Sequence, residues 1–374
     1  MKTLLIITAV AKPPPSPDEV TPRMDYHALV DSLRASGTAD IVDYAAVDRE
    51  RNLGVRIARA LGGRCAGLAV MAFQRRAQYD SIFSNGENVA IPLALLFKLV
   101  RRRPGHITIC HRMSAAKKRP FFTLLKAHRQ IDRIIFNASS QMEFARTKLG
   151  ISEDRLWLTT FMADDRFFRP MPWPPNPQSW GDRTDSSDSV LSASSPAIIS
   201  SAGLEWRDYP TLVAAVRDMT NVQVKLAAAS PWSKKVNETA AMDLPAHVDA
   251  RRYDYAGLRD LYASSTMIVV PVYETDFQAG MTTILEAMAM GKPLIATRTT
   301  GQSDWVIDGV NGLCVPPGDV EALRRAIERL LGDPQLREKL GEGARAWLMA
   351  NATLDNWVAN VTRALTESAA RQAA

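Results

Sequence analysis

Gln278-Ala279-Gly280-Met281-Thr282-Thr283-Ile284-Leu285-Glu286-Ala287-Met288-Ala289-Met290-Gly291-Lys292-Pro293 decides the reading of this chain. A turn of small residues leads into a helix with one carboxylate a turn and a half inside. Such a turn leaves the first backbone N–H groups of the helix open, and together with the helix dipole they attract a phosphate. Glu286 stands at i+3 and i+4 from Thr283 and Thr282, so the three share a face. Met281, Ile284, Leu285 and Met288 form an apolar stripe directed elsewhere, toward a core. Gly291 suits the position just past the helix end, and Pro293 blocks continuation. The helix therefore offers an anion site at its tip and a carboxylate for hydroxyls one turn deeper. A diphosphate joined to a ribose diol has both matching groups.

Working outward, the chain has 374 residues, which suits two domains. No apolar run reaches membrane-spanning length. The apolar part of the stretch Met1 to Ala11 is short and runs straight into Lys12-Pro13-Pro14-Pro15, so it reads as a first buried parallel strand rather than a signal peptide. Cys65, Cys110 and Cys314 are odd in number and widely spaced, without a metal pattern. They fit reduced thiols and a cytoplasmic location. The net charge is +6 and is unevenly spread. From Lys98 to Arg133 there are eleven Lys or Arg and one acid, Asp132, with Phe121, Phe122, Leu124 and Leu125 interleaved. That segment suits peripheral contact with an anionic membrane at its inner face; the alternative is a solvated helix face with its apolar side chains in a core. No nucleic-acid recognition motif accompanies it.

Short apolar runs alternate with helical stretches, which predicts an α/β doubly wound architecture. Strands are expected at Leu4–Val10, Ile41–Tyr44, Ser81–Ser84, His106–Cys110, Arg133–Phe136 and Leu156–Leu158, and helices at Tyr26–Ala35, Asn52–Leu61, Ala90–Arg101 and Gln141–Leu149. Residues 170–195 are rich in Pro and Ser, hold Asp, Gly and Asn with few apolar residues, and read as a linker or mobile loop. A fresh series starts at Ala197, with strands expected at Ala197–Ser200, Val222–Ala227, Met267–Pro271 and Leu294–Ala296. The expected domains are therefore 1–169 and 196–353, each binding ligand outside the carboxyl ends of its strands.

The stretch Leu285-Glu286-Ala287-Met288-Ala289-Met290-Gly291-Lys292-Pro293 resembles the "EAMA-x-GKP" signature of the retaining family 4 glycosyltransferases of the GT-B fold. Arg133 to Ser140, Asp164 to Pro170, Gly301 to Asp304 and Asp308 to Asp319 are similar to further family segments. The resemblance implies two Rossmann-like domains facing a cleft, with the last helix, about 354–374, crossing back to the N-terminal one. It also implies a nucleotide-diphosphate sugar as donor, UDP-sugar favoured over GDP-sugar, and an unidentified acceptor hydroxyl. In the family two glutamates seven residues apart flank the turn. Glu286 takes the second position and Gln278 the first, where an amide can orient sugar but cannot act as nucleophile or base. Glu274 and Asp276 lie just upstream and are alternative carboxylates.

Carried over residue by residue, the resemblance puts Gly280, Met281, Thr282, Thr283 and Glu286 on the donor. His111, after the strand ending at Cys110, falls near the donor sugar, with Arg112 beside it facing phosphate or acceptor. The family's first loop in the second domain supplies an Arg and a Lys. Here Gly203 and Asp208 occupy those positions, and Arg207 is the remaining cation for the diphosphate. Lys234 and Lys235 are either a second source of charge or solvated loop residues. Arg251 and Tyr253 fall near the nucleobase, with a core role for Tyr253 as the alternative. Asn85-Gly86-Glu87 follows a strand of the first half, where Glu87 either receives an acceptor hydroxyl or merely starts a helix. No Asp-x-Asp occurs, so no metal and no cofactor is expected. The leading reading is a retaining, metal-independent transferase with a donor phosphate oxygen taking the acceptor proton on the same face. The alternatives are a sugar-nucleotide-binding protein without activity, which Gln278, Gly203 and Asp208 favour, and an epimerase, for which no acid–base carboxylate pair is evident.

Overall fold

A computed structural model describes residues 1–14, 19–171, 196–228, 238–302 and 304–373. They form two compact units. The first comprises residues 1–16, 23–161 and 354–374, and the second comprises 17–22 and 162–353. Residues 162–169, expected with the first half, group with the second. Of the stretch 170–195 expected to be a linker, residues 172–195 lie outside the described residues.

The first unit runs β1 (Lys2–Ile6), α1 (Asp25–Arg34), β2 (Thr38–Val42), α2 (Tyr44–Arg49), α3 (Leu53–Arg75), β3 (Ser81–Ser84), α4 (Glu87–Phe97), β4 (Gly105–Cys110), α5 (Arg119–Thr123), β5 (Arg133–Phe136), α6 (Ser139–Leu149) and β6 (Leu156–Leu158). Its sheet is wholly parallel, in the order β2-β1-β3-β4-β5-β6. Strands covered on both faces must be apolar on both, and Leu4, Leu5 and Ile6 are all fully buried. The order reverses between β1 and β3, which makes the carboxyl ends of those strands the natural ligand edge.

The second unit runs β7 (Ala197–Ala202), α7 (Tyr209–Val216), β8 (Val222–Ala227), β9 (Val248–Arg251), α8 (Tyr255–Ser264), β10 (Met267–Val270), α9 (Met281–Ala289), β11 (Leu294–Thr297), β12 (Leu313–Val315), α10 (Val320–Gly332) and α11 (Pro334–Asn351). Its parallel sheet has the order β12-β11-β10-β7-β8-β9 and reverses between β7 and β10. The two short edge strands, β9 and β12, were not expected from sequence. Three or four residues give too little periodicity to stand out.

The last helix, α12 (Leu354–Ala373), belongs to the first unit. Trp357, Val361, Ala364 and Leu365 form its buried stripe. It approaches β4 closely because Gly105 has no side chain: a β-carbon there would lie 2.6 Å from Ser368 Oγ. Ser368 Oγ donates to Asp132 Oδ2 at 3.2 Å, and the same carboxylate accepts from the His106 N–H at 2.7 Å and pairs with Arg103.

Candidate functional site

In the second unit the crossover point brings together the loop after β7 and the start of α9. Gly280 is the N-cap of α9, with φ 80° and no side-chain cap. Only glycine fits there. The φ is left-handed, and a β-carbon would lie 2.7 Å from Val270 Cγ1 and 3.3 Å from Arg207 Nη1. The first amide to find a helical partner is that of Ile284, which donates to Gly280 O. Among the described residues the N–H groups of Met281, Thr282 and Thr283 have no acceptor, as the sequence reading required.

Arg207 lies directly beneath this turn and is buried, 7% exposed. Its Nε donates to Ala202 O at 2.6 Å, Nη1 to Glu205 O at 3.0 Å and Nη2 to Thr283 Oγ1 at 3.0 Å. A β-carbon at Gly203 would stand 2.5 Å from Nη2, so the guanidinium fills the space over that glycine. Burial lowers its pKa, and the nearby Tyr209, Tyr262 and Glu286 act in the opposite direction. Asp208 is not available to an anion. It caps α7, accepting from the Thr211 N–H at 3.1 Å and the Thr211 hydroxyl at 2.7 Å.

Glu286 is buried one turn into α9, and Oε2 accepts from the Tyr262 hydroxyl at 2.9 Å. Burial pushes its carboxyl up to about 7, against the Tyr262 hydrogen bond and the charge on Arg207. Thr283 is tied inward, accepting from Arg207 and donating to Ala202 O at 3.2 Å, whereas Thr282 is exposed at the tip. Thr283 is therefore a structural link between α9 and β7 and not a ligand contact by its hydroxyl. Met281 is half-exposed, not part of the core stripe; Ile284, Leu285 and Met288 are fully buried. Tyr262, on α8, is the residue that sequence reasoning missed. No local pattern marks a helical tyrosine as the partner of a carboxylate 24 residues later.

Gln278 is 8% exposed and stands next to the loop that follows β11. Its Nε2 lies 3.5 Å from Asp304 Oδ2, and its Oε1 is buried without a hydrogen bond. The two loops are locked together: Gly301 N–H donates to Thr275 O, and a β-carbon at Gly301 would collide with the Phe277 backbone. Trp206 (φ 57°) packs edge-on against Phe277, at a ring separation of 5.7 Å. Glu274 accepts from the Thr300 N–H, so it holds the loop and does not replace the missing carboxylate.

Arg251 and Tyr253 are associated with each other instead of with this group. Arg251 Nε donates to Tyr253 Oη at 2.9 Å, and its guanidinium covers the ring at 4.8 Å. Arg251 ends the edge strand β9 and Tyr253 follows it, two strand spacings or about 10 Å from β7. Tyr253 is half-buried, which corrects the core alternative. Lys234 and Lys235 lie outside the described residues.

In the first unit the corresponding edge carries His111, exposed, at the end of β4. Glu87 holds its loop. The buried carboxylate accepts from the backbone N–H groups of His111 and Arg112, both at 3.1 Å, and pairs with Lys118. With these partners and only 3% exposure, Glu87 positions the His111 loop and does not face an acceptor hydroxyl; this corrects the expectation. Arg112 is half-buried in the same loop, with its carbonyl accepting from Lys118. Asp25, unremarked in the sequence, opens α1 near this edge. Burial raises its carboxyl pKa, while backbone N–H groups and the charges of His27 and His111 lower it.

The basic segment 98–133 divides. Lys118 pairs with Glu87, Arg103 with Asp132, and Arg119 bonds Ser114 O, while Phe122 is core. Leu99, Leu124 and Leu125 are exposed. Among the described residues, no helix is long and apolar enough to cross a membrane.

Residues 198–333 match the family Glycosyl transferases group 1. The chain is 30% identical over 162 residues to an alpha-D-kanosaminyltransferase of Streptomyces kanamyceticus, covering 38% of this chain and 41% of that protein. It is 31% identical over 152 residues to the lipopolysaccharide core biosynthesis glycosyltransferase LpsE of Rhizobium meliloti, covering 40% and 44%. The chain thus spans less than half the length of these curated relatives. Among solved structures, Anabaena HepE in complex with UDP and glucose superimposes over 98% of this chain and 99% of its own, with a TM-score of 0.69 at 14% identity.

Proposed function

Because residues 198–333 are a group 1 glycosyl transferase domain and the chain carries the GT-B fold, we propose that the protein is a glycosyltransferase using a nucleoside-diphosphate sugar. The observation that carries the reading is the start of α9. Amides of Met281, Thr282 and Thr283 stand open over the buried Arg207 guanidinium, with the Glu286 carboxylate one turn below. The amides and the helix dipole receive the diphosphate, and Arg207 supplies a permanent positive charge as the leaving nucleotide gains negative charge. Glu286 accepts from the ribose hydroxyls. Arg251 and Tyr253, on the far side of β8, suit the nucleobase. UDP is favoured, supported by the UDP held in the HepE complex.

His111 is assigned to the transferred sugar and Arg112 to the acceptor side. Gln278 orients the sugar through its amide. Transfer proceeds with retention and without a metal, the acceptor proton passing to a donor phosphate oxygen on the same face. The acceptor is a hydroxyl compound. The protein is placed in the cytoplasm, with peripheral contact to an anionic membrane through residues 98–133, where Leu99, Leu124 and Leu125 are exposed among Lys98, Arg101 and Arg102.

A thermal-shift panel of UDP, GDP and UDP-glucose, followed by donor hydrolysis, tests this reading. UDP should stabilise the chain in proportion to its affinity. No stabilisation by any nucleoside diphosphate refutes it. One observation favours a second reading, a binder without turnover: the first carboxylate position holds Gln278. Binding without hydrolysis or transfer would select it.

A further inference from the structure

The most informative feature outside this site is α3. Gly63 (φ 74°, ψ −174°) divides it into two arms, residues 53–62 and 64–75. The arms fold back on each other: Gln74 Nε2 donates to Asn52 Oδ1 at 3.0 Å, and a β-carbon at Gly67 would lie 3.4 Å from the Arg59 Cβ. Neither contact exists in a straight helix, where those residues stand two or more turns apart. The second arm buries Leu68, Ala69, Met71 and Ala72, and the first buries only Val55. On the outer side of the first arm Leu53, Ile57 and Leu61 are 68%, 49% and 85% exposed. Their i, i+4, i+8 spacing makes one continuous aliphatic stripe.

The charge around the stripe identifies what covers it. Residues 48–64 hold five arginines against two acids. Asp48 is neutralised by Arg59 and Arg64, and Glu50 by Arg75. Arg49, Arg51 and Arg56 are exposed and have no acidic partner among the described residues. Two copies meeting through this face would set like charges against each other. An exposed aliphatic stripe with exposed, uncompensated arginines within a few residues of it is complementary to an anionic bilayer. Its position is also defined. Tyr44 stands two residues past the end of β2, and its hydroxyl lies 3.4 Å from Cys65 Sγ, just beyond the Gly63 turn. The hairpin turn is therefore level with the carboxyl ends of the first unit's strands, the edge that carries His111.

We propose that the α3 hairpin docks the protein on an anionic lipid surface. Leu53, Ile57 and Leu61 enter the headgroup boundary, and Arg49, Arg51 and Arg56 bind lipid phosphates. The docking stands by itself. That it presents membrane-borne hydroxyl acceptors to the His111 edge rests on the function proposed above.

Vesicle flotation of the full chain tests it, with phosphatidylcholine alone and with added phosphatidylglycerol. The wild type should float only with the anionic vesicles and be released by salt. The L53S/I57S/L61S variant should lose about tenfold or more in partitioning. R51Q/R56Q should lose severalfold with a weaker salt dependence. Melting and stabilisation by UDP should be unchanged in both, since these side chains already face water. The proposal is overturned if the wild type ignores anionic vesicles, or if the triple variant floats as well as the wild type. Contact through residues 98–133 is secondary to this docking, so L99S/L124S should weaken flotation less than the triple variant does; the proposal is equally overturned if L99S/L124S alone abolishes flotation, or if sedimentation equilibrium shows a dimer that the triple variant splits.

Discussion

Replacing Glu286 by Gln should stabilise the empty protein and weaken its hold on nucleotide. In the folded chain burial pushes this carboxyl to about 7, from an ordinary value of 4.5. Between those values the folded state binds more protons than the unfolded one. The stabilising effect of the neutral form is therefore complete below 4.5 and is lost as pH rises through about 7. The difference corresponds to about 3 kcal/mol by pH 8. Gln keeps the length of the side chain and an oxygen for the Tyr262 hydroxyl, but it has no charge to desolvate. E286Q should melt within a degree or two of wild type at pH 5 and about 5–10 °C higher at pH 8, given the size of the unit. With UDP the order should invert, because the single amide oxygen, with one lone pair already taken by the Tyr262 hydroxyl, cannot accept from both ribose hydroxyls as well. Melting curves of both proteins at pH 5 and pH 8, with and without UDP, read both effects. A lower melting point for empty E286Q at pH 8 would refute the burial argument, and an undiminished UDP shift would refute the ribose assignment.

Gly280→Ala should cost about 2–4 kcal/mol in urea unfolding and remove the UDP shift, since the new β-carbon meets Val270 Cγ1 at 2.7 Å in a left-handed backbone. Arg207→Lys keeps a charge but cannot reach Ala202 O, Glu205 O and Thr283 Oγ1 together. It should lower stability by about 2–3 kcal/mol and cut the preference for UDP over uridine about tenfold by calorimetry. Gln278→Glu sets a second carboxylate about 3.5 Å from Asp304. Relative to wild type it should be less stable at pH 8 than at pH 5, by on the order of a few kcal/mol in urea unfolding, and alter binding of UDP-glucose while leaving UDP unchanged.

The core strands were legible because short apolar or alternating runs stand between turn signals. Ser81–Ser84, Arg133–Phe136, Leu156–Leu158 and Val222–Ala227 fall where expected to the residue. The helix Asn52–Leu61 was read as a complete element, yet it is the first arm of a hairpin, because its Gly-Gly pair reads as a stop and not as a reversal. The α9 turn was legible for a different reason: glycine at the cap, no capping side chain and a carboxylate at fixed helical offset are all local. What stayed hidden is what side chains from distant segments do to one another. Glu87 looked like an open acid at a helix start, and only the tertiary structure reveals His111, Arg112 and Lys118 gathered on it.

The departures in the β7 loop follow from one steric fact. The resemblance places an arginine at position 203 and a lysine at 208, and the chain has neither. Arg207 enters the same space from four residues on, and it can do so only because position 203 has no side chain. With the guanidinium inside, three polar groups of the loop and of α9 are satisfied by one residue, and Asp208 becomes available to cap α7. The loss of a cation at 203 and the burial of one from 207 are thus a single rearrangement. It leaves positive charge beneath the α9 amides while making that charge part of the core, so its removal must disturb folding and anion binding together.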